Sequence, residues 1–566
     1  MKVPRIALVV ALIAALTVSF APGAAGVTWP AGSYQVDLTI ERIGGADRYE
    51  TAVLIASDSF PGWADIDHVI VASGEDRALS DPLAAGSLCW AYDAPLLLVK
   101  GDDVPAQVAA ALEAIRSSNT TVTVTVVGGP VAVSADAVAE IESIMGTGTV
   151  EQPWTTGDRY ALAAGIAGRA ASVAAETSRT IPARALVANG TDGAGFVDAL
   201  AASAISARTG IPVLLVEKYS VPAATASALA AGAPGSVIVV GGPAVISAET
   251  YTAAGATTRW SGSDRYGTAA VVAAGGRNRG WLTGSVAGVA STVPDALAGA
   301  VNIGREGGPL LYVPRSTLGW PAADYLHRNR ALVSAARIFG GTGAVPLAIG
   351  KELMGGPSVP RVLTPTAGSR LARRAQLVVS TGVNTVELEV YSGTTLVAER
   401  QAGGYTNVDF GTIATPAEGT QWRIVARNAA GEESMVAQSH PRYSYPAPTS
   451  IVIDKSDFRL YWFKDDVFIK SYAIAIGKSS TPTPAAIWRI DSKYYTDPNG
   501  VYGPRKLRLY RKVGSRYVYT NYGIHGTNQP WVIGTKASHG CIRLHNTQIL
   551  DLFPRVPLGT IVQTRE

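Results

Sequence analysis

The chain has 566 residues, 47% of them apolar and 16% charged, with a formal net charge of +4 at pH 7. That length excludes a single hydrophobic core, because domains run to about 100–200 residues, and the composition is that of an ordinary folded protein. The charge is unevenly spread: residues 27–359 carry a net −8 and residues 448–566 a net +9, which suggests two jobs on one chain.

The first predicted element is a leader. Lys2 and Arg5 precede an apolar run over 6–20, and the small residues APGAAG follow. A basic start, an apolar stretch and a small-residue exit predict a secretory signal peptide over 1–26, cleaved near Ala25. The run is short of the ~20 residues a spanning helix needs, and no later stretch of the sequence supplies one. The mature chain is therefore expected to be secreted, with no transmembrane segment. Outside a cell nucleic acid is not an expected partner, and the basic end suits a polyanionic surface.

The next 330 residues repeat themselves. The tripeptide Asp-Arg-Tyr stands at 47–49, 158–160 and 264–266. After each come SDPLAAG, VDALAAS or PDALAGA, with Asp81, Asp198 and Asp295, then APLLLV, IPVLLV or GPLLYV, then VTVVGGP, VIVVGGP or RIFGGTG. Short apolar runs separated by Ala-rich helical stretches indicate strands buried on both faces of a parallel sheet. Three α/β units are thus expected, over 27–154, 155–260 and 261–358. The Asp and Arg of each tripeptide read as a pair holding a helix start, with Tyr in the core. The Gly-Gly pairs read as tight turns where a Cβ would clash.

These landmarks resemble the cell-wall-binding repeat of the second type, found on secreted wall proteins of Gram-positive bacteria. The resemblance implies a Toprim-like fold, three units around a pseudo-threefold axis, and noncovalent attachment to an anionic cell-wall polymer. The third unit departs from the pattern at FGGTGAVP.

Residues 359–447 hold a spacer. Period-two alternation in TVELEVYSG and QWRIVARNAAGEES predicts a small β-sandwich, and HPRYSYPAPT, with prolines at 441, 446 and 448, predicts a stiff linker. No catalytic constellation is evident there.

Residues 448–566 are β-rich and basic. They carry His525 in YGIHGT and then SHGCIRLHN over 538–546. The other cysteine, Cys89, lies in a small-residue helix and reads as a buried apolar residue, which leaves Cys541 a free thiol. A thiol becomes a strong nucleophile when an imidazole takes its proton, and His525 and His539 are both at hand. Gly540 lets the backbone turn around the sulfur, local N–H groups suit an oxyanion, and Arg543 suits a substrate carboxylate. His525, His539, Cys541 and His545 can also be grouped on paper as zinc ligands. The stretch PRKLRLYRKVGSR over 504–516 reads either as a flank of the cleft or as a solvated hairpin.

The pattern IHGT…SHGCIRLHN, with IVIDKSDFRLYWF and YAIAIGKSSTPTP before it, resembles the L,D-transpeptidase catalytic domain. The resemblance implies peptidoglycan stem peptides as substrate, Cys541 as nucleophile and His525 as the base. Ser538, His539 and Gly540 would shape the site, while Arg543 and Asn546 would support the loop or the substrate, with no cofactor or metal. An exported, wall-bound enzyme of cell-wall biogenesis is expected, forming 3→3 crosslinks with an amine acceptor. An L,D-carboxypeptidase using water, or a wall-bound structural protein, are the competing expectations.

Overall fold

The computed structural model describes residues 35–191 and 197–566, so the expected leader lies outside the described residues. The first half contains twelve strands: β1 (Thr39–Ile43), β2 (His68–Ser73), β3 (Leu96–Val99), β4 (Thr123–Val127), β5 (Val150–Glu151), β6 (Arg184–Asn189), β7 (Val213–Val216), β8 (Ser236–Val240), β9 (Ala256–Trp260), β10 (Val286–Ala290), β11 (Leu310–Tyr312) and β12 (Ala335–Phe339). They form three parallel four-stranded sheets, ordered β3-β2-β4-β5, β7-β6-β8-β9 and β11-β10-β12-β1.

Because successive side chains in a strand point to opposite faces, each sheet feeds two cores. Ile70, Leu98, Leu186, Ile238, Leu310 and Phe339 contribute to one cluster shared by all three units. Their neighbours Val69, Val187 and Val289 enter three separate clusters, one per unit. The shared core is completed by the Ala-rich helices Gly86–Tyr92, Leu200–Thr209 and Val293–Arg305. Cys89 lies there, 3% exposed, with its thiol pushed up to about 12 by burial, which agrees with its reading as an apolar residue.

One strand, β1, crosses the expected unit boundaries. The strand before each Asp-Arg-Tyr belongs to the preceding unit, so β5 and β9 close the first and second sheets. Accordingly β1, at the start of the described chain, closes the third by pairing Thr39–Ile43 with Ala335–Phe339. Asp and Arg of the tripeptide do not pair with each other as expected. Asp47 accepts the N–H groups of Tyr49 and Glu50 and caps the helix Arg48–Ser59; Asp158 and Asp264 cap theirs in the same way. The arginine instead reaches the end of the unit's first strand: Arg48 Nη1 donates to the Gly74 carbonyl at 2.6 Å, and Arg159 Nη1 to that of Gly190 at 2.7 Å. A backbone carbonyl at a strand end lacks a ladder partner, and the guanidinium satisfies it.

The Gly-Gly turns behave as expected. Gly128, Gly241 and Gly340 have φ of +118°, +117° and +109°. A Cβ at Gly340 would stand 2.5 Å from Asp295 Oδ2, and one at Gly128 2.9 Å from Asp81 Oδ2. Burial pushes both Asp81 and Asp198 up to about 6, and Asp295 upward as well. Asp81 and Asp295 each line a cleft with the Asp-Arg-Tyr loop of the next unit. One such cleft, between Arg48 on one side and Asp295, Tyr312 and Arg315 on the other, holds about 900 Å³.

The intervening segment contains β13 (Arg361–Thr364), β14 (Arg374–Ser380), β15 (Glu387–Ser392), β16 (Thr395–Gln401), β17 (Asn407–Ala414), β18 (Gln421–Arg427) and β19 (Glu433–Ser439). An antiparallel sheet β16-β15-β18-β19 and the antiparallel set β13-β14-β17 share one core of Leu377, Val379, Leu388, Trp422 and Ile424. This segment is tied at both ends. Asn384, fully buried, donates to the carbonyls of Val36, Glu352 and Gly356 and accepts the N–H of Val36. At the other end Arg373 donates to Asp466 and to the Tyr445 carbonyl, and Tyr445 stacks on Phe463 at 4.3 Å. The proline-rich stretch is therefore packed between two bodies instead of standing free.

The last domain contains β20 (Ser450–Asp454), β21 (Arg459–Lys464), β22 (Val467–Ala473), β23 (Ile476–Gly477), β24 (Ala486–Tyr495), β25 (Arg505–Val513), β26 (Arg516–Val518), β27 (Gly523–His525), β28 (Lys536–Ser538), β29 (Ile542–Arg543) and β30 (Ile561–Arg565). Its main sheet runs β22-β21-β20-β30-β24-β25-β27-β29, and β14 extends it through Arg374 opposite Val467. Trp462, Trp488, Ile524 and Ile542 form its core, with Ile549, Leu552 and Phe553 of the helix Asn546–Arg555. Among the described residues no helix is long and apolar enough to cross a membrane.

Candidate active site

The edge strand β29 and its neighbour β27 bring the sequence-predicted residues together. β27 and β29 pair in parallel, Ile524 opposite Ile542 and His525 opposite Arg543. Directly paired residues of a ladder project to one face. Continuing the register by two sets Cys541 beside Gly523, on the face that carries His525 and Arg543.

The cysteine turn is held from three sides. Gly540 adopts φ +101° with the Tyr522 ring packed where a Cβ would be. Ser538, 1% exposed, accepts the Gly540 N–H at 3.1 Å and donates to the Cys541 carbonyl at 2.6 Å. Thr483 Oγ1 donates to the Gly540 carbonyl at 3.0 Å while accepting the Gly477 N–H at 2.9 Å. The Cys541 thiol is half-buried and points at the Asn521 carbonyl, with sulfur 3.7 Å away.

His525 is 2% exposed, and its Nδ1 lies 2.5 Å from the Gly526 carbonyl. A carbonyl only accepts, so Nδ1 carries the proton and Nε2 keeps its lone pair. Burial pushes the imidazole down to about 4, and the charges of Lys506 and Arg543 press the same way against the Gly526 contact. The ring is thus neutral at pH 7, with one basic nitrogen. Arg543 Nη1 donates to Gln529 Oε1 at 3.1 Å, while its buried Nε has no acceptor among the described residues.

Asn546 does not face the thiol. Its Oδ1 accepts the Thr527 N–H at 2.8 Å and its Nδ2 donates to the Pro498 carbonyl at 3.4 Å, so it fastens the loop after His525 to the 498–503 turn. His539 is exposed, with no hydrogen-bond partner among the described residues. Among those residues no three His, Cys, Asp or Glu side chains converge as metal ligands would.

The basic stretch resolves into two parts. Lys506 and Arg508 on β25 pair with His525 and Gly523 and so join the site face, whereas residues 511–518 form a hairpin of β25 and β26 whose Arg511, Lys512 and Arg516 project outward. Thr483, Asn521, Tyr522 and Lys506 were not legible in the motif. Only TPTP and YGIHG, which hold Thr483 and Tyr522, stood near it.

Comparison with known proteins gives the family of each half of the chain. The family model for the L,D-transpeptidase catalytic domain matches residues 448–563, and that for cell wall binding domain 2 matches 42–138, 155–251 and 259–349. A putative L,D-transpeptidase YkuD from Bacillus licheniformis is 34% identical over 134 residues, 24% of this chain and 74% of that protein. The N-acetylmuramoyl-L-alanine amidase LytC from Bacillus subtilis is 28% identical over 319 residues, 56% of this chain and 58% of the amidase, so the chain spans little more than half of that relative's length. Cwp6 from Clostridium difficile is a solved structure with 23% identity, covering 60% of this chain and 50% of that one at a TM-score of 0.48. The chain thus belongs to the L,D-transpeptidase family, with its catalytic domain behind three cell-wall-binding repeats of the second type.

Proposed function

We propose that the protein is an exported, wall-bound L,D-transpeptidase that acylates Cys541 with a tetrapeptide stem of peptidoglycan. The observation that carries this reading is the tautomer of His525: with Nδ1–H committed to the Gly526 carbonyl, Nε2 is the proton acceptor on the face that holds the thiol. The thiol proton passes to Nε2 as sulfur attacks the carbonyl of the third stem residue. The tetrahedral oxyanion is received by backbone N–H groups of the cysteine turn. On collapse the bond to the terminal D-Ala breaks, and the departing amine takes the proton from His525. An amine of a second stem then gives its proton to His525, attacks the thioester and frees the thiol, leaving a 3→3 crosslink.

Arg543, on the same face as the thiol, binds the terminal carboxylate of the donor through its terminal guanidinium nitrogens. The repeats supply attachment. The test is the intact mass of the full chain after incubation with a tetrapeptide donor or a carbapenem. One acyl adduct is expected on the wild type and none on Cys541→Ala; an adduct on the alanine variant removes the assignment.

A further inference from the structure

The site face carries a cation that the reaction above does not use. Lys506 is opposite His525 on β25, as Arg543 is on β29, so the imidazole stands in a row between an ammonium and a guanidinium. The two cationic strands are two ladder spacings apart, about 9–10 Å. Lys506 is only 5% exposed, yet it has no hydrogen bond or ion pair among the described residues. Its Nζ stands 3.7 Å from the centroid of the Tyr502 ring, and Tyr502 in turn meets His525 edge-on at 5.0 Å. At that exposure little of the side chain reaches solvent.

Burying a lysine without a counter-ion costs stability, and an aromatic face offsets only part of that cost. A substrate anion would complete the arrangement. We propose that Lys506 binds a second carboxylate of the donor stem, one carried at the end of the third residue's side chain, while Arg543 holds the terminal carboxylate. This rests on the function proposed above and adds a specificity to it. The scissile carbonyl lies between those two anionic groups in the donor, as His525 lies between the two cations. Recognition by both ends orients the carbonyl over Cys541. A donor whose side-chain carboxyl has been converted to a carboxamide loses the charge-assisted contact and leaves the ammonium desolvated and unpaired.

The experiment compares two tetrapeptide donors that differ only in that group, free acid or carboxamide, on the full-length chain. The wild type is expected to acylate Cys541 from the free acid with kcat/KM about tenfold or more above the amide. Lys506→Met should bring the ratio close to one through loss on the free acid, and Lys506→Arg should restore a preference. A wild-type ratio near one, with both donors reacting, overturns the inference and leaves the proposed function standing. Equal slowing of both donors by Lys506→Met, with the acidic limb of the rate profile displaced, also overturns it and assigns Lys506 to positioning the charge state of His525. Failure of both donors to acylate the wild type removes the proposed function and this inference with it. The wild-type ratio needs no variant, so poor folding of Lys506→Met does not shield the idea.

Discussion

The Ser538 hydroxyl spans the nucleophile turn, donating to the carbonyl of Cys541 at 2.6 Å and accepting from Gly540. One buried oxygen therefore fixes both sides of a glycine in the left-handed region. Ser538→Ala leaves a buried carbonyl and an N–H without that partner, at about 1–3 kcal/mol. Acylation of Cys541 is expected to slow about 10- to 100-fold with the thiol still present, read as the rate of adduct formation against total thiol titre. An unchanged rate would show that Thr483 and Tyr522 hold the turn without it.

The state of His525 sets a pH profile. Its folded value, about 4, lies below the ordinary histidine value, so the basic form persists as pH falls past 6.5 and is lost only near 4. Acylation measured by stopped-assay mass spectrometry should therefore be nearly level between pH 5 and 7 in its acidic limb. A half-maximal point near 6.5 would mean that a different group takes the proton. His525→Asn should lower the rate by at least about 100-fold, with a smaller effect on donor affinity.

Asp81 and Asp198 predict an inverse pH effect on the repeats. Their folded values, about 6, lie above the unfolded value near 3.8, so the folded state binds more protons between those limits. The stability they contribute is full below the unfolded value and is lost as pH rises through about 6. Asp81→Asn, which stays neutral, should raise the melting temperature at pH 7.5 by about 2–4 °C and leave it unchanged at pH 3.5. Calorimetry at the two pH values decides this, and a loss at pH 7.5 would show that the Arg159 charge outweighs burial.

Division of labour between the halves is tested with fragments. Residues 356–566 retain Arg373, Tyr445 and the β14–β22 contact, and should acylate at a rate near that of the full chain. Residues 450–566 lose that packing against Phe463 and should melt lower by about 4 °C or more. Residues 27–359 should bind isolated walls and do no chemistry, and extraction of anionic polymers from those walls should abolish the binding.

Local pattern carried most of this architecture. Runs such as HVIVAS and APLLLV announced doubly covered parallel strands because a strand with apolar residues on both sides has no other stable place. The motif around Cys541 named the nucleophile turn because glycine, serine and cysteine there serve one short backbone. What sequence left hidden depends on register between distant strands. Lys506 meets His525 only through a ladder across 19 positions, and β1 meets β12 across nearly 300. Asp and Arg of the repeated tripeptide looked like partners because they are adjacent, yet a helix cap and a strand-end carbonyl each offered better geometry. His539 looked central for the same reason of adjacency, and the turn at Gly540 points it outward.

The clasp made by β1 has a consequence for how the molecule is assembled. Residues 36–43 are the first of the described chain to be synthesised, yet their hydrogen-bonding partners are Ala335–Phe339 and Asn384. An emerging chain cannot place them until some 300 further residues have followed, so an incomplete product presents an open sheet edge at both extremities. A chain cut short within the third unit leaves β1 a loose, protease-accessible strand, and only a chain that has run on into the spacer holds both β1 and Val36 in place.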